Sequence, residues 1–555
     1  MDSGRFLLAV VLMIAVMIVT QVLLPPPPRE QPPASGTTAD SIRGTAPAAD
    51  SAPPTTIAPA APVATADPAA PAVPADTIRV RTELYEYDVS TRGAAIVGAR
   101  LLHFESQRPG WDGRPVELSP DSLPGLYSYR LLIGTREIRL NELAFTSTQT
   151  EPPVAGTDRV LELRHETADG LGITVAYSFD ANRYMVDARI AVSGLGEQSP
   201  ALLIELPRTL ASHEANPKED ERFLSYVFNS DREGIGTFRL TSVKAEHVQG
   251  GPLHWVAIKN KYFVTAVLTH PQATQPFESV VATPIAPKLA AANLTARLLP
   301  SSDRTFSFRI YMGPREPERL AELGNRLDDV NQIGWKPFRP ILTPLGHAIQ
   351  WALTGLHDLL GIGYGWVLVL FGVIIRIVLW PLNAKAMRSQ MKNMEIQPRL
   401  KEIQAKYKNE PEKLQKEMLR LYREEGFNPM GGCLPMLIPL PILITLFFVF
   451  QSTIVFRGVS FLWLPDLSRA DPLYILPVLL GLSMYLMQWL STKSMTEQNP
   501  QMKFMMYAMP PFMTILFLNF ASGLNLYYAA MNFASIPQQI QIMKERQKFN
   551  AARAK

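Results

Sequence analysis

A chain of 555 residues is too long for one ordinary domain, and its formal net charge of only +4 argues against an extended nucleic-acid grip. One cysteine, Cys433, excludes an intrachain disulfide; at the head of an apolar run it reads as a small buried hydrophobe. The hydrophobic content of 47% is ordinary, but its distribution is not. Apolar residues crowd into 6–24 and the region after 340, whereas 78–335 reads as a soluble domain.

The first element, within residues 1–24, is the uncharged run 6–24. At ~1.5 Å per residue it spans ~28 Å, about the hydrocarbon thickness of a bilayer. It ends in Val22-Leu23-Leu24 and four prolines rather than at a small-residue cleavage site, so an uncleaved anchor is expected. Arg5 before it places the N-terminus in the cytoplasm. Residues 25–77 follow as a Pro/Ala-rich spacer, with 14 prolines between 25 and 76. Such a composition buries too little apolar surface to offset chain entropy, and an extended, disordered linker is expected.

Residues 78–335 alternate apolar and polar side chains in short runs, among them Val160 to Arg164, Ile173 to Phe179 and Met185 to Val192. Turn formers such as Asp169-Gly170 and Asp180-Ala181-Asn182 separate them. Many short strands, each with one apolar face, indicate a large β-sandwich. Its chemistry is sparse. His165-Glu166 lacks the second histidine of a helical zinc motif, and Glu219, Asp220 and Asp231 read as solvated surface. The chain has no glycine-rich phosphate loop and no evident catalytic constellation, and neither a cofactor nor an enzymatic activity is expected. Residues 316–333 look like a short amphipathic connecting helix.

Within 338–360, Leu345, Ala348, Ile349, Ala352, Leu353, Leu356 and Leu360 follow helical spacing, with polar residues on the other faces. An interfacial helix anchored by Trp351 is expected. Apolar runs at 363–382, 434–456, 473–490, 504–519 and 523–541 then bring the total to six spans. With the N-terminus inside, the 384–428 loop (11 Lys/Arg against 7 Asp/Glu), the 491–503 loop and the basic 542–555 tail all fall in the cytoplasm. A seventh span at 345–360 would put all three outside. The 384–428 loop carries two amphipathic faces, Leu400/Ile403/Tyr407 and Leu414/Met418/Leu421/Tyr422, and reads as a helical hairpin.

Arg376 interrupts the second span, ~20 Å from its outer edge and ~10 Å from its inner one. An arginine at such depth costs ~2.5–3.5 kcal/mol on insertion scales. The four spans that follow contain no Asp or Glu, so a wet cavity, lipid headgroups or a transient partner must receive the charge. Snorkelling of the side chain is the plain alternative. Gln451, Gln488, Asn519, Ser522, Asn525 and Asn532 lie in or beside spans and could hydrate a groove, although each alone is more often interhelical glue. Met387, Met391 and Met394 could form an adaptable surface for varied substrates.

Arg376 in IIRIVLWPL, Asn428-Pro429-Met430-Gly431-Gly432-Cys433, Asp471 to Pro477 and Ser522 to Tyr528 occur in that order. Together they resemble the YidC insertases of the oxidase-assembly/YidC superfamily, and the N-terminal anchor and β domain resemble the Gram-negative type. The resemblance implies an inner-membrane insertase and chaperone with a five-helix core around a hydrophilic groove. Arg376 would be its positive charge, Tyr527 and Tyr528 would line the substrate path, and the cytoplasmic hairpin would capture substrates. The large domain would be periplasmic and supersandwich-like. Partners would be nascent membrane proteins, the Sec translocon, ribosomes and the phospholipid bilayer. One departure is Gly372, one turn before the arginine, where some members carry a hydroxyl residue. An anion transporter using Arg376 would more often show inverted repeats, which are not evident. A membrane-anchored periplasmic enzyme would need a convergent catalytic constellation in the β domain.

Overall fold

The computed structural model describes residues 75–553 except 121–122, 124, 149–158, 169, 197, 242–244, 274, 299–303, 335, 385–398, 401, 408–409, 425–438 and 493–499. The expected N-terminal anchor, most of the 25–77 linker, Asn428 to Cys433 and the methionines Met387, Met391 and Met394 lie outside the described residues.

The alternation in the sequence produces strands with one buried face. In Gly172–Phe179, Ile173, Val175, Tyr177 and Phe179 are buried while the residues between them are partly open. All named strand pairs are antiparallel. Thr77–Arg81, Tyr85–Ser90, Ile96–Glu105 and Pro115–Glu117 form a small sheet, and 14 strands form a large one. In the large sheet, Ser128–Ile133 and Gly172–Phe179 stand eight positions apart. Laid flat, ~4.8 Å per strand would separate them by ~38 Å. Yet the Tyr177 hydroxyl donates to that of Tyr129 at 2.9 Å, so the sheet folds back over itself.

The long strand His247–Lys259 takes part in that turn. Its first half pairs with Phe277–Ala286 and its second with Phe263–Thr269, with a register break between Gly250 and Leu253. A Cβ on Gly251 would lie 2.4 Å from the Phe277 carbonyl oxygen, so the backbones meet there only with glycine. The enclosed core is rich in tyrosine, and the hydroxyls of Tyr85, Tyr226 and Tyr311 donate to backbone carbonyls. Tyr87 of the small sheet donates to Met312 O of the large one at 2.7 Å, binding the two together.

The connecting segment differs from the expected single helix. Pro317–Glu322 is helical, but Gly324, Asn325 and Arg326 follow with positive φ, and a short 3-10 turn covers Leu327–Val330. Three left-handed residues in a row end the helix. The turn returns Leu327 and Val330 to the β-domain core.

Among the described residues the helices that follow include α1 (Arg339–Leu360), α2 (Tyr364–Val378), α3 (Pro411–Glu424), α4 (Pro439–Ser452), α5 (Ile475–Thr492), α6 (Pro500–Phe517) and α7 (Ser522–Arg553). Helix α1 buries Leu342, Gly346, Ile349 and Leu353 along one stripe and leaves Trp351 74% exposed. It meets α2 at a bend of 118°. Helix α7 is central, packing on α2, α5 and α4, whereas α6 packs chiefly on α5. Among the described residues no single helix is long and apolar enough to cross a membrane; the bent α1–α2 pair passes that test jointly. Shorter apolar helices cover Pro441–Ser452, Ile475–Leu490 and Tyr507–Phe517.

Candidate functional site

Arg376 lies in the last turn of α2, against α7. The approach of the two helices rests on Gly372. A Cβ there would lie 3.0 Å from Tyr527 O and 3.3 Å from both Ala530 Cβ and Met531 N. Close backbone contact through small residues is how helices pack where no hydrophobic force separates protein from surroundings. It brings the half-buried guanidinium to Gln538, whose Oε1 accepts from Arg376 Nη2 at 2.6 Å. Gln538 Nε2 in turn donates to Trp380 O at 3.1 Å. The Arg376 Nε is buried without a partner, and among the described residues no carboxylate lies within ion-pair distance of this side chain.

The other expected groove residues are distributed along the bundle. Asn532 donates to Ser483 Oγ of α5 at 3.0 Å, so it faces α5 rather than α2. Asn525, fully buried, donates to Phe517 O at 3.1 Å, 13 residues and ~20 Å along α7 from Gln538. Asn519 is exposed and lines a cavity beside the β domain. Gln451 is half-buried at the end of α4 that runs into Ile454, itself part of the β-domain core. Gln488 is half-buried toward the far end of α5. Tyr527 is fully buried against Phe371 and Phe450, and Tyr528 stands edge-on to Phe517. Arg376 is thus brought to α7, while Asn519, Asn525 and Gln451 sit at the opposite end, near the β domain.

Gln538 was not among the expected residues. The signal for it is helical spacing: Tyr527, Met531, Ala534 and Gln538 fall at i, i+4, i+7 and i+11, one stripe of α7. Asn525 and Asn532, seven apart, share a different stripe.

A second polar group joins the β domain to the helical body. The Arg457 side chain, 5% exposed, donates from Nε to Glu214 at 2.8 Å and from Nη1 to Glu105 O at 2.9 Å. Its guanidinium also lies over the Phe263 and Tyr262 rings. Nearby, Gln107 donates to Asp466 at 2.6 Å. The same loop reaches α7, since the Gly523 N–H donates to Leu467 O at 2.8 Å and Ser522 Oγ to Asp466 O at 3.0 Å. Asp471 accepts from Leu473 N at 3.0 Å and Leu476 N at 2.7 Å and so caps the start of α5. These contacts give physical reasons for two of the quoted motifs.

Burial is the main cause that lifts the Glu214 carboxyl to about 7, with Arg457 opposing and Asp220 assisting. The acids flanking this junction correct the surface reading. Asp231 is exposed, but Asp220 is 1% exposed and accepts from Lys261 N at 2.9 Å. Glu219 pairs with Lys261 at 2.9 Å. A cavity of about 470 Å³ lies between Glu214, Lys261, Arg469, Asp471 and Asn519. Among the described residues no group of His, Cys, Asp and Glu could hold a metal ion.

Residues 77–345 match the family described as the YidC periplasmic domain, and residues 355–550 match the 60Kd inner membrane protein family. A relative from Cupriavidus pinatubonensis, named membrane protein insertase YidC, is 31% identical over 480 residues, covering 84% of this chain and 82% of its own. One of the same name from Cupriavidus taiwanensis is 29% identical over 487 residues, covering 86% and 84%. A crystal structure of an active YidC insertase, with its first transmembrane domain resolved, is 19% identical, with a TM-score of 0.34, covering 83% of this chain and 92% of that one. The chain therefore belongs to the YidC family of membrane protein insertases, an inner-membrane family with a periplasmic domain rather than a family of enzymes.

Proposed function

We propose that this chain inserts and helps fold integral membrane proteins, using Arg376 as an uncompensated positive charge within a hydrated recess among the helices. The supporting observation is a guanidinium held by a neutral amide, with no carboxylate in ion-pair distance among the described residues. A wet recess thins the apolar barrier to a short polar tail, and the cation favours acidic tails over neutral ones. The client's apolar helix then leaves sideways into lipid, driven by burial at ~25 cal/mol per Å². No step in this sequence requires nucleotide hydrolysis.

The proposed topology has spans at 6–24, 363–382, 434–456, 473–490, 504–519 and 523–541, both termini cytoplasmic, and the β domain periplasmic. Loop charge supports it through the positive-inside rule. Helix α1, with Trp351 and Leu359 exposed opposite its buried stripe, suits the membrane interface. Tyr527 and Tyr528 would border the client path, with Gln451, Gln488, Asn519, Asn525 and Asn532 as polar lining. The 384–428 hairpin, with Met387, Met391 and Met394, would capture clients. The Sec translocon and, through the basic segments, ribosomes would be partners.

In vesicles containing only this protein and a labelled single-span client, Arg376→Ala should impair insertion of clients with short acidic translocated tails. Arg376→Lys should largely preserve it. Equal protease protection of the client with and without the positive charge would discard the role given to Arg376.

A further inference from the structure

We infer that Gln538 is the positioning residue that holds Arg376 without cancelling its charge, and so sets the preference for acidic clients; this rests on the reading of Arg376 above. Gln538 is 1% exposed, so its amide cannot turn to water for hydrogen bonds. Its orientation is dictated by partners with fixed roles. Guanidinium nitrogens only donate, so Arg376 must face Oε1; the Trp380 carbonyl only accepts, so it must face Nε2. The amide thus ties α7 to the end of α2 through one side chain and fixes one Nη of the arginine.

The residue type matters because of what it lacks. A glutamate of the same length would reach the guanidinium equally well and form a buried ion pair. Most of the field that a client carboxylate would sense would then be spent internally. A methionine would fill the same volume but accept no such hydrogen bond, leaving the arginine charged but free to change rotamer. Glutamine is the length-matched acceptor that anchors the cation and leaves it a cation.

The test measures insertion of two clients differing only in tail charge, one acidic and one neutral, in vesicles of the full-length protein. The readout is the ratio of their yields, which a merely structural defect would not move. Arg376→Ala, run alongside, should lower the ratio. Gln538→Glu should lower it similarly, by roughly fivefold or more, with neutral-tail insertion kept. Gln538→Met should lower it by a smaller factor, about two. An unchanged ratio in both Gln538 variants, with Arg376→Ala lowering it, would overturn the inference and leave the reading of Arg376 standing. An equal loss of both clients in the Gln538 variants would also overturn it, since the role would then be structural. An unchanged ratio in Arg376→Ala would overturn the reading and the inference together.

Discussion

Glu214 and Arg457 show what burial does to a pair of charges. Each has little contact with water, and the carboxyl is lifted from an ordinary value of 4.5 to about 7 because its charged form has lost hydration. The pKa in the docked form lies above the ordinary one, so docking takes up a proton. The favourable contribution is full below about 4.5 and is lost as pH rises through about 7. Acidification from pH 8 to 5.5 should therefore tighten the seating of the β domain on the helical body. Spin labels on the two parts should give a narrower distance distribution at pH 5.5, and Glu214→Gln should remove the pH dependence. Identical distributions at both pH values in the unsubstituted protein would contradict this. Little of the pair was legible in the sequence, because its members are 243 residues apart and each alone looks like surface charge. Asp220 was misread for the same reason: its partner, the Lys261 N–H, is 41 residues away. Arg376 was legible because an isolated charge in an apolar run is anomalous wherever the chain folds.

At the level of elements, the α2–α7 contact governs the candidate site. Gly372 leaves room for α7 and no more, with Tyr527 O, Ala530 and Met531 all within 3.3 Å of a notional Cβ. Gly372→Val would force the helices apart and pull Gln538 from Arg376. Overpacking of this kind costs about 1–3 kcal/mol. Unfolding of the purified protein in mixed detergent should register a loss of that size; stability unchanged within about 0.5 kcal/mol would show that the helices yield freely. The helices and strands themselves were legible from period and alternation. The stripe of α7 that meets α2 also follows from helical spacing, whereas the amides Asn525 and Asn532 mark another stripe. What the sequence hid was the bend of the connecting segment, since left-handed conformations at Asn325 and Arg326 are allowed rather than dictated by residue type.

At the scale of the molecule, a β domain and a helical body share one loop, 457–472, which touches Glu214 and Gln107 on one side and the start of α7 on the other. Helix α7 runs from that junction past Gln538, so the two polar groups lie 16 residues, ~24 Å, apart along one helix. The folding-back of the large sheet was not legible, because strand order depends on contacts between distant segments. The most direct measurement concerns water beside Arg376. With Cys433 replaced by serine, a single cysteine at Ala534, on the stripe that carries Gln538, should react with a membrane-impermeant thiol reagent added from the cytoplasmic side. A cysteine at Val478, exposed on α5, should not. Equal inertness at both positions would mean that no wetted recess surrounds the charge.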